Sequence, residues 1–346
     1  MGSPPSDGSR TATPSSRAPT SEAPVETSPP PGAPVPAPHA PRRLLPYVAL
    51  AVVWVVWGST YLAMRVVVSE MPPLAAAAAR FATAGAVMAL VARVVDRRHG
   101  PPRPRQVLDY ALIGILLLSV GNALVMWSEQ TIPSGIAALI VATVPVWLVL
   151  FDGLRPGGQP WTGRVWIGTA VGLAGVALVA RPQGHVSREH WVAIAGLQVA
   201  CLAWTAGSLY AQAVPKRLPL ASAAAIEMLA GSAVLAFASR LFGEDLSLLV
   251  AGSPRAWGGL LYLAVFGSLV GFTAFAYCLN ELPASTVGTY AYVNPVVAVV
   301  LGALILGEPL TPGLLGGGAL IVVAVILTTL RRPRRSPATG ASRADS

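Results

Sequence analysis

Arg80 and Glu227 stand deep inside long apolar runs, in PPLAAAAARFATAG (72–85) and LPLASAAAIEMLAG (218–231). A charge near the centre of a membrane helix costs about 2.5–3.5 kcal/mol on insertion scales, so such residues face a bundle interior or a water-filled cavity. An arginine there is either a counter-charge for an anionic group, such as a substrate carboxylate, or a structural residue bonded to helix ends. The glutamate is a candidate to carry a proton or bind a cation, and direct pairing of the two is open. A second polar set, Tyr290, Tyr292 and Asn294, precedes Pro295 within the apolar stretch 283–300. Tyr290 and Asn294 are four residues apart and share one helix face, which either lines a solute path or bonds neighbouring helices. A third set recurs: Trp57, Ser59 and Tyr61 against Trp204, Ser208 and Tyr210. Trp57 is too deep for an interfacial belt, so it forms a cavity wall or packs between helices. Asn122 is a further polar candidate. Arg65 is expected to snorkel to the headgroups, Glu129 either to cap a loop or to act as a gate residue, and Glu281 and Glu308 to serve tight turns.

This chemistry is binding rather than bond-making. His39, His99, His185 and His190 fall outside the apolar interiors, no HExxH occurs, and no two aspartates lie in facing runs. An intramembrane enzyme therefore lacks its nucleophile, base or metal set, and no catalytic residue, metal site or cofactor is expected. Cys201 and Cys278 read as small buried hydrophobes. Gly316-Gly317-Gly318 lacks the lysine and hydroxyl of a phosphate loop, and no strand precedes it. The net charge of +9 sits in loops and tails rather than on a folded soluble face, which argues against nucleic acid. A channel would favour rings of like groups from several subunits. A non-transporting receptor or scaffold is the remaining alternative, with the N-terminal tail as its recognition surface.

The elements that must position these residues are membrane helices. The chain is 54% hydrophobic and 11% charged. Residues 1–43 are rich in Pro, Ser and Ala and are expected to be a disordered tail; 332–346 form a basic tail. Between them lie ten runs near the length of a span: 46–68, 73–95, 107–128, 134–153, 162–181, 190–211, 219–241, 256–279, 284–306 and 311–330. Ten spans put both termini on one side. Fifteen Lys and Arg fall on that side, among them Arg42, Arg43, Arg97, Lys216 and Arg331, against four (Arg181, Arg188, Arg240, Arg255) on the other. Positive charge marks the cytoplasmic side, so both termini are expected there.

The stretches PSGIAALIVATVPVWLVL (133–150) and PASTVGTYAYVNPVVAVV (283–300) are variants of one another, with Pro133 against Pro283 and Pro145 against Pro295. A helix broken at Pro145 in one half and Pro295 in the other points to a binding site for solute transport. Five spans per half make the second half enter the membrane inverted. The positions in 140–144 are apolar apart from Thr143, so the cavity is expected to be polar against one half and greasy against the other. Gly168-x-x-x-Gly172 and Gly267-x-x-x-Gly271 allow close helix approach.

WGSTYLAMR (57–65), PPLAAAAARF (72–81), PSGIAALIVATVP (133–145), EMLAG (227–231), TYAYVNPVVAVVLG (289–302) and GEPLT (307–311) resemble the ten-span EamA proteins of the drug/metabolite transporter superfamily. Within these the chain is most similar to the YedA-like group of bacterial inner-membrane exporters. The resemblance covers roughly residues 46–330. It implies an all-α membrane protein of ten transmembrane helices in two inverted five-helix repeats, 44–182 and 190–331. It further implies export of small metabolites, amino acids or toxic compounds. The expected partners are a small-molecule substrate, the bilayer and a coupling proton, with the chain a monomer or homodimer.

Overall fold

The computed structural model describes residues 44–155, 161–181, 187–214, 218–282 and 284–329. The expected tails, Lys216, Arg217 and Pro283 lie outside the described residues. The principal helices are α1 (Leu44–Val68), α2 (Pro73–Val95), α3 (Pro104–Ser128), α4 (Ser134–Asp152), α5 (Gly163–Val179), α6 (Arg188–Ala213), α7 (Leu220–Leu241), α8 (254–281), α9 (Tyr290–Leu306) and α10 (Pro312–Thr329). Seven of them are long and apolar enough to cross a membrane; α5, α9 and α10 are shorter apolar helices. Prolines open α2, α3, α8 and α10, where the missing N–H costs no helix bond.

The packing repeats between α1–α5 and α6–α10. α2 lies along α7 and α5 along α10, the most extensive contacts in the bundle. α1 packs on α8 and α9, and α6 packs on α3 and α4 in the same relation. Small residues permit these approaches. A Cβ at Gly175 would fall 2.9 Å from the Gly317 carbonyl oxygen, and one at Gly168 2.6 Å from the Thr328 methyl. Gly267 packs on Thr60 and Arg80, and Gly271 on the Trp57 indole. Both small-residue motifs are thus used inside one chain.

Two departures from regular helix also repeat. α3 carries a π-helical segment at Ile115–Asn122, and α8 carries one at Leu263–Val270. The wider i→i+5 turn leaves carbonyls available to other partners. Gly267 O accepts the Trp57 indole N–H at 3.2 Å, and Ser268 Oγ donates to Leu263 O at 3.2 Å.

The helix breaks differ from the expectation placed on the prolines. α4 is interrupted at Ala142–Thr143, between Ser134–Val141 and Val144–Asp152. Pro145 follows the break, in the first turn of the second piece, where proline is tolerated. In the second half the break falls at Gly288–Thr289, between Ala284–Val287 and α9. Pro295 lies inside the uninterrupted α9 and is not a break. Its ring removes one N–H from the second turn.

Acidic side chains join the two halves at helix ends. Glu244, after α7, accepts from Leu74 N (2.9 Å) and Ala75 N (2.8 Å) at the start of α2. Asp96, after α2, accepts from Ser222 N (3.0 Å) and Ser222 Oγ (2.6 Å) at the start of α7. Glu308 accepts from Ser134 N, Ser134 Oγ and Gly135 N at the start of α4, and Glu70 accepts from Ser253 N and Oγ at the start of α8. Those two Ser253 bonds hold the Glu70 carboxyl below its ordinary range. Each carboxylate meets orphan N–H groups at the positive end of a helix dipole. Gly243 and Gly307, both at positive φ (69° and 67°), turn the chain just before Glu244 and Glu308. Glu308 therefore serves its turn as expected, by reaching the opposite repeat. Asp96→Ala and Glu244→Ala should each lower stability by about 1 kcal/mol. The double variant should lower it by roughly the sum, read as unfolding temperature of the purified protein in detergent.

Candidate functional site

Helices α1, α2, α3, α4, α6, α8 and α9 surround a cavity of about 120 Å³. α4 lines it with Ala138, Val141, Ala142, Val144 and Pro145, so the interruption of α4 forms part of the wall. Tyr61, Arg80, Asn122, Trp204, Tyr290 and Asn294 line the rest with Trp57 and Thr60. The polar groups come from both halves. Greasiness belongs to one helix wall, not to one repeat as the apolar stretch 140–144 had indicated.

Arg80 is 4% exposed. Its Nε donates to Ser268 Oγ at 3.0 Å and its Nη1 to Asn122 Oδ1 at 3.1 Å. The guanidinium carbon lies 4.8 Å from the Phe81 ring centroid. Asn122 ends the π segment of α3 and Ser268 lies in that of α8, so the arginine bridges the two irregular segments. All these partners are neutral. Among the described residues Arg80 forms no salt bridge with Glu227, so the two do not pair. A buried charge with only neutral partners carries a desolvation penalty of several kcal/mol. An anionic group entering the cavity would offset it.

Beside Arg80 is an aromatic cluster. Trp57 lies with ring centroids 5.0 Å from Phe275, 5.4 Å from Tyr290 and 5.9 Å from Phe272. Asn294, with its amide nitrogen turned to the carbonyls it faces, donates to Tyr290 O (3.1 Å) and Trp54 O (3.2 Å), tying α9 to α1 at the cavity edge.

A family model of the EamA-like transporter family matches residues 44–181 and 191–330. The chain belongs to that family. It is 41% identical over 292 residues to the inner membrane transporter YedA of Escherichia coli K12, covering 84% of this chain and 92% of that protein. It is 28% identical over 317 residues to a probable terminal-alkyne amino-acid exporter of Streptantibioticus cattleyicolor, covering 84% and 97%. A solved crystal structure shares the fold, with a TM-score of 0.58, 21% identity and coverage of 83% and 95%. The chain is thus a multi-pass bacterial inner-membrane protein of a transporter family.

Not every candidate of this EamA protein reaches the cavity. Ser59 Oγ bonds the Tyr262 hydroxyl at 2.6 Å and the Val56 carbonyl at 2.9 Å, joining α1 to α8. Ser208 is not among the lining residues, and Tyr292 packs against the apolar core. Glu227 does not line the cavity either; its backbone lies against Gly114 of α3. One group escaped the sequence reading. Ser268 holds Arg80, and nothing in LAVFGSLV (263–270) announces a π segment.

Of the two readings of Glu129, a loop cap or a gate, the first fails: its side chain caps no loop. It is fully buried, and neither carboxyl oxygen has a hydrogen-bond partner. Its main-chain carbonyl accepts from the Arg65 guanidinium, so Arg65 is turned inward rather than snorkelling. Glu129 lies just beyond the span ending at Ser128. Burial, reinforced by the Glu308 carboxylate and opposed by Arg65, pushes its carboxyl well above the ordinary carboxylate range.

Proposed function

We propose that this protein is a secondary exporter of small amino-acid-like solutes with apolar side chains, working by alternating access between its two repeats, with both termini cytoplasmic. The observation that carries this reading is the buried guanidinium of Arg80, held by neutral partners at the edge of a cavity whose α4 wall is apolar. A carboxylate binds Arg80 through the donors that Ser268 and Asn122 leave unused. The apolar side chain of the solute lies against α4, and Trp57, Trp204 and Tyr290 supply flat surfaces for it. A relative named as a probable amino-acid exporter supports the same solute class. The interrupted helices of the two halves supply the flexible points for rocking one repeat against the other, and proton exchange supplies the energy. The excess of basic residues in segments on the side of the termini supports the orientation.

Counterflow in proteoliposomes tests this reading. Vesicles preloaded with a neutral amino acid bearing an apolar side chain should show saturable uptake of the labelled solute. The amide of the same amino acid, which lacks the carboxylate, should not compete. Uptake no greater than in empty liposomes, with uptake of lipophilic cations instead, would replace amino acids with cationic toxic compounds as the cargo.

A further inference from the structure

Beyond the cavity, at the end of the bundle where Glu70, Glu244 and Glu308 cap helices, lies a layer of charged residues. Tyr61 and Met64 of α1 and Val125 of α3 line the cavity. One helical turn further along the same helices stand Arg65 and Glu129. Arg65 lines a second pocket beyond them, with Ser69, Glu70, Pro133, Arg255 and Glu308. Arg65 and Glu129, joined through the Glu129 carbonyl, thus stand between residues that line the cavity and residues that line that outer pocket.

We propose that Glu129 is the proton-binding site of this layer, and that proton uptake there closes the passage while proton release opens it. The proposal rests on the transport reading above and adds to it the coupling ion and the residue that carries it. The charged and titratable groups that act on Glu129 are Arg65 and Tyr61 from α1 and Glu308 from the turn after α9. Glu308 is engaged with Ser134 and Gly135, and Arg65 gives its bond to a carbonyl. Neither supplies the Glu129 carboxyl with a hydrogen bond. An ionised carboxylate enclosed without donors is costly, whereas a neutral carboxylic acid is tolerated. Loss of the proton therefore favours an arrangement in which water reaches Glu129, which parts the layer. In the closed layer the carboxyl is held above its ordinary range; opened and hydrated, it is not. Closure is thus fully favoured below the ordinary carboxylate range and is lost as pH rises through the raised value.

Thiol labelling reads the layer directly. In full-length protein carrying Cys201→Ala and Cys278→Ala, Met64→Cys reports the cavity side and Ser69→Cys the outer side. A membrane-impermeant maleimide is applied to cells and to inverted vesicles, and the side that reaches Ser69→Cys is the side read. From about pH 6 to about pH 9 the Met64→Cys rate, divided by the Ser69→Cys rate, should rise about tenfold or more, the change that one unit of displaced pKa produces. Glu129→Gln, which keeps the shape and removes the charge, should hold the ratio low at every pH. Glu129→Asp should restore the rise, and Glu227→Gln should leave it unchanged. A pH-flat ratio in the parent protein, or a rise that survives in Glu129→Gln, would overturn the proposal. A pH-dependent ratio without counterflow of any solute would instead remove the transport reading and leave the gate standing.

Discussion

Arg80→Ala is expected to abolish counterflow of solutes that carry a carboxylate, with a loss of more than a hundredfold in apparent affinity. Removing one partner from a buried, hydrogen-bonded charge pair costs about 2–5 kcal/mol, and about 3 kcal/mol corresponds to that loss. The size of the effect follows from the site. Arg80 is 4% exposed and meets no carboxylate among the described residues, so its charge is available to a solute. Arg80→Lys should recover only part of the activity. A lysine keeps the charge but not the planar fork that contacts Ser268 and Asn122 at once. The discriminating measurement is competition by carboxylate-bearing solutes against their amides, made on protein that elutes as one symmetric peak in detergent. Equal loss for both solute classes would make Arg80 a brace between the π segments of α3 and α8 rather than a binding residue.

Gly114→Val is expected to lower the membrane yield and the unfolding temperature of the folded protein. A Cβ built at Gly114 overlaps the Glu227 main chain, lying 2.6 Å from its carbonyl carbon. The obstacle is backbone, which has no rotamer to change, so α3 and α7 would have to separate. Overpacking of this kind costs about 1–3 kcal/mol or more, against the roughly 5–15 kcal/mol that holds a typical domain folded. Gly258→Val is the control. Gly258 is also helical but faces open space, and its substitution should leave membrane yield and unfolding temperature unchanged. Loss of yield in both variants would attribute the effect to any added side chain rather than to the approach of α3 to α7.

Local physics alone made much of this architecture legible. Twenty or so apolar residues suffice to define a span. Seven of the ten expected spans are helices long enough to cross, and the other three are shorter apolar helices. The four-residue spacing of Tyr290 and Asn294 put them on one face, and both line the cavity. Serine and tyrosine at 59, 208 and 292 were less legible. Polarity in an apolar run marks an inward position, but a bond to a neighbouring helix, as Ser59 makes to Tyr262, satisfies it as well as a solute would.

The sequence by itself determined that the chain is a bundle of apolar helices built from a duplicated unit, with Arg80 and the polar end of α9 turned inward, because hydrophobic run length and period are properties of neighbours along the chain. Tertiary structure alone decided where the helices break: at Ala142–Thr143 and Gly288–Thr289, with Pro295 inside the uninterrupted α9. It also decided the meaning of the acidic residues. Gly243-Glu244 and Gly307-Glu308 announce a left-handed turn, yet the helix ends they cap lie some 170 residues away in sequence. Glu129, one residue beyond a span, reads as either a loop cap or a gate until the folded chain closes over it and leaves its carboxyl without a donor. Burial and hydrogen-bond supply are set by contacts between distant segments.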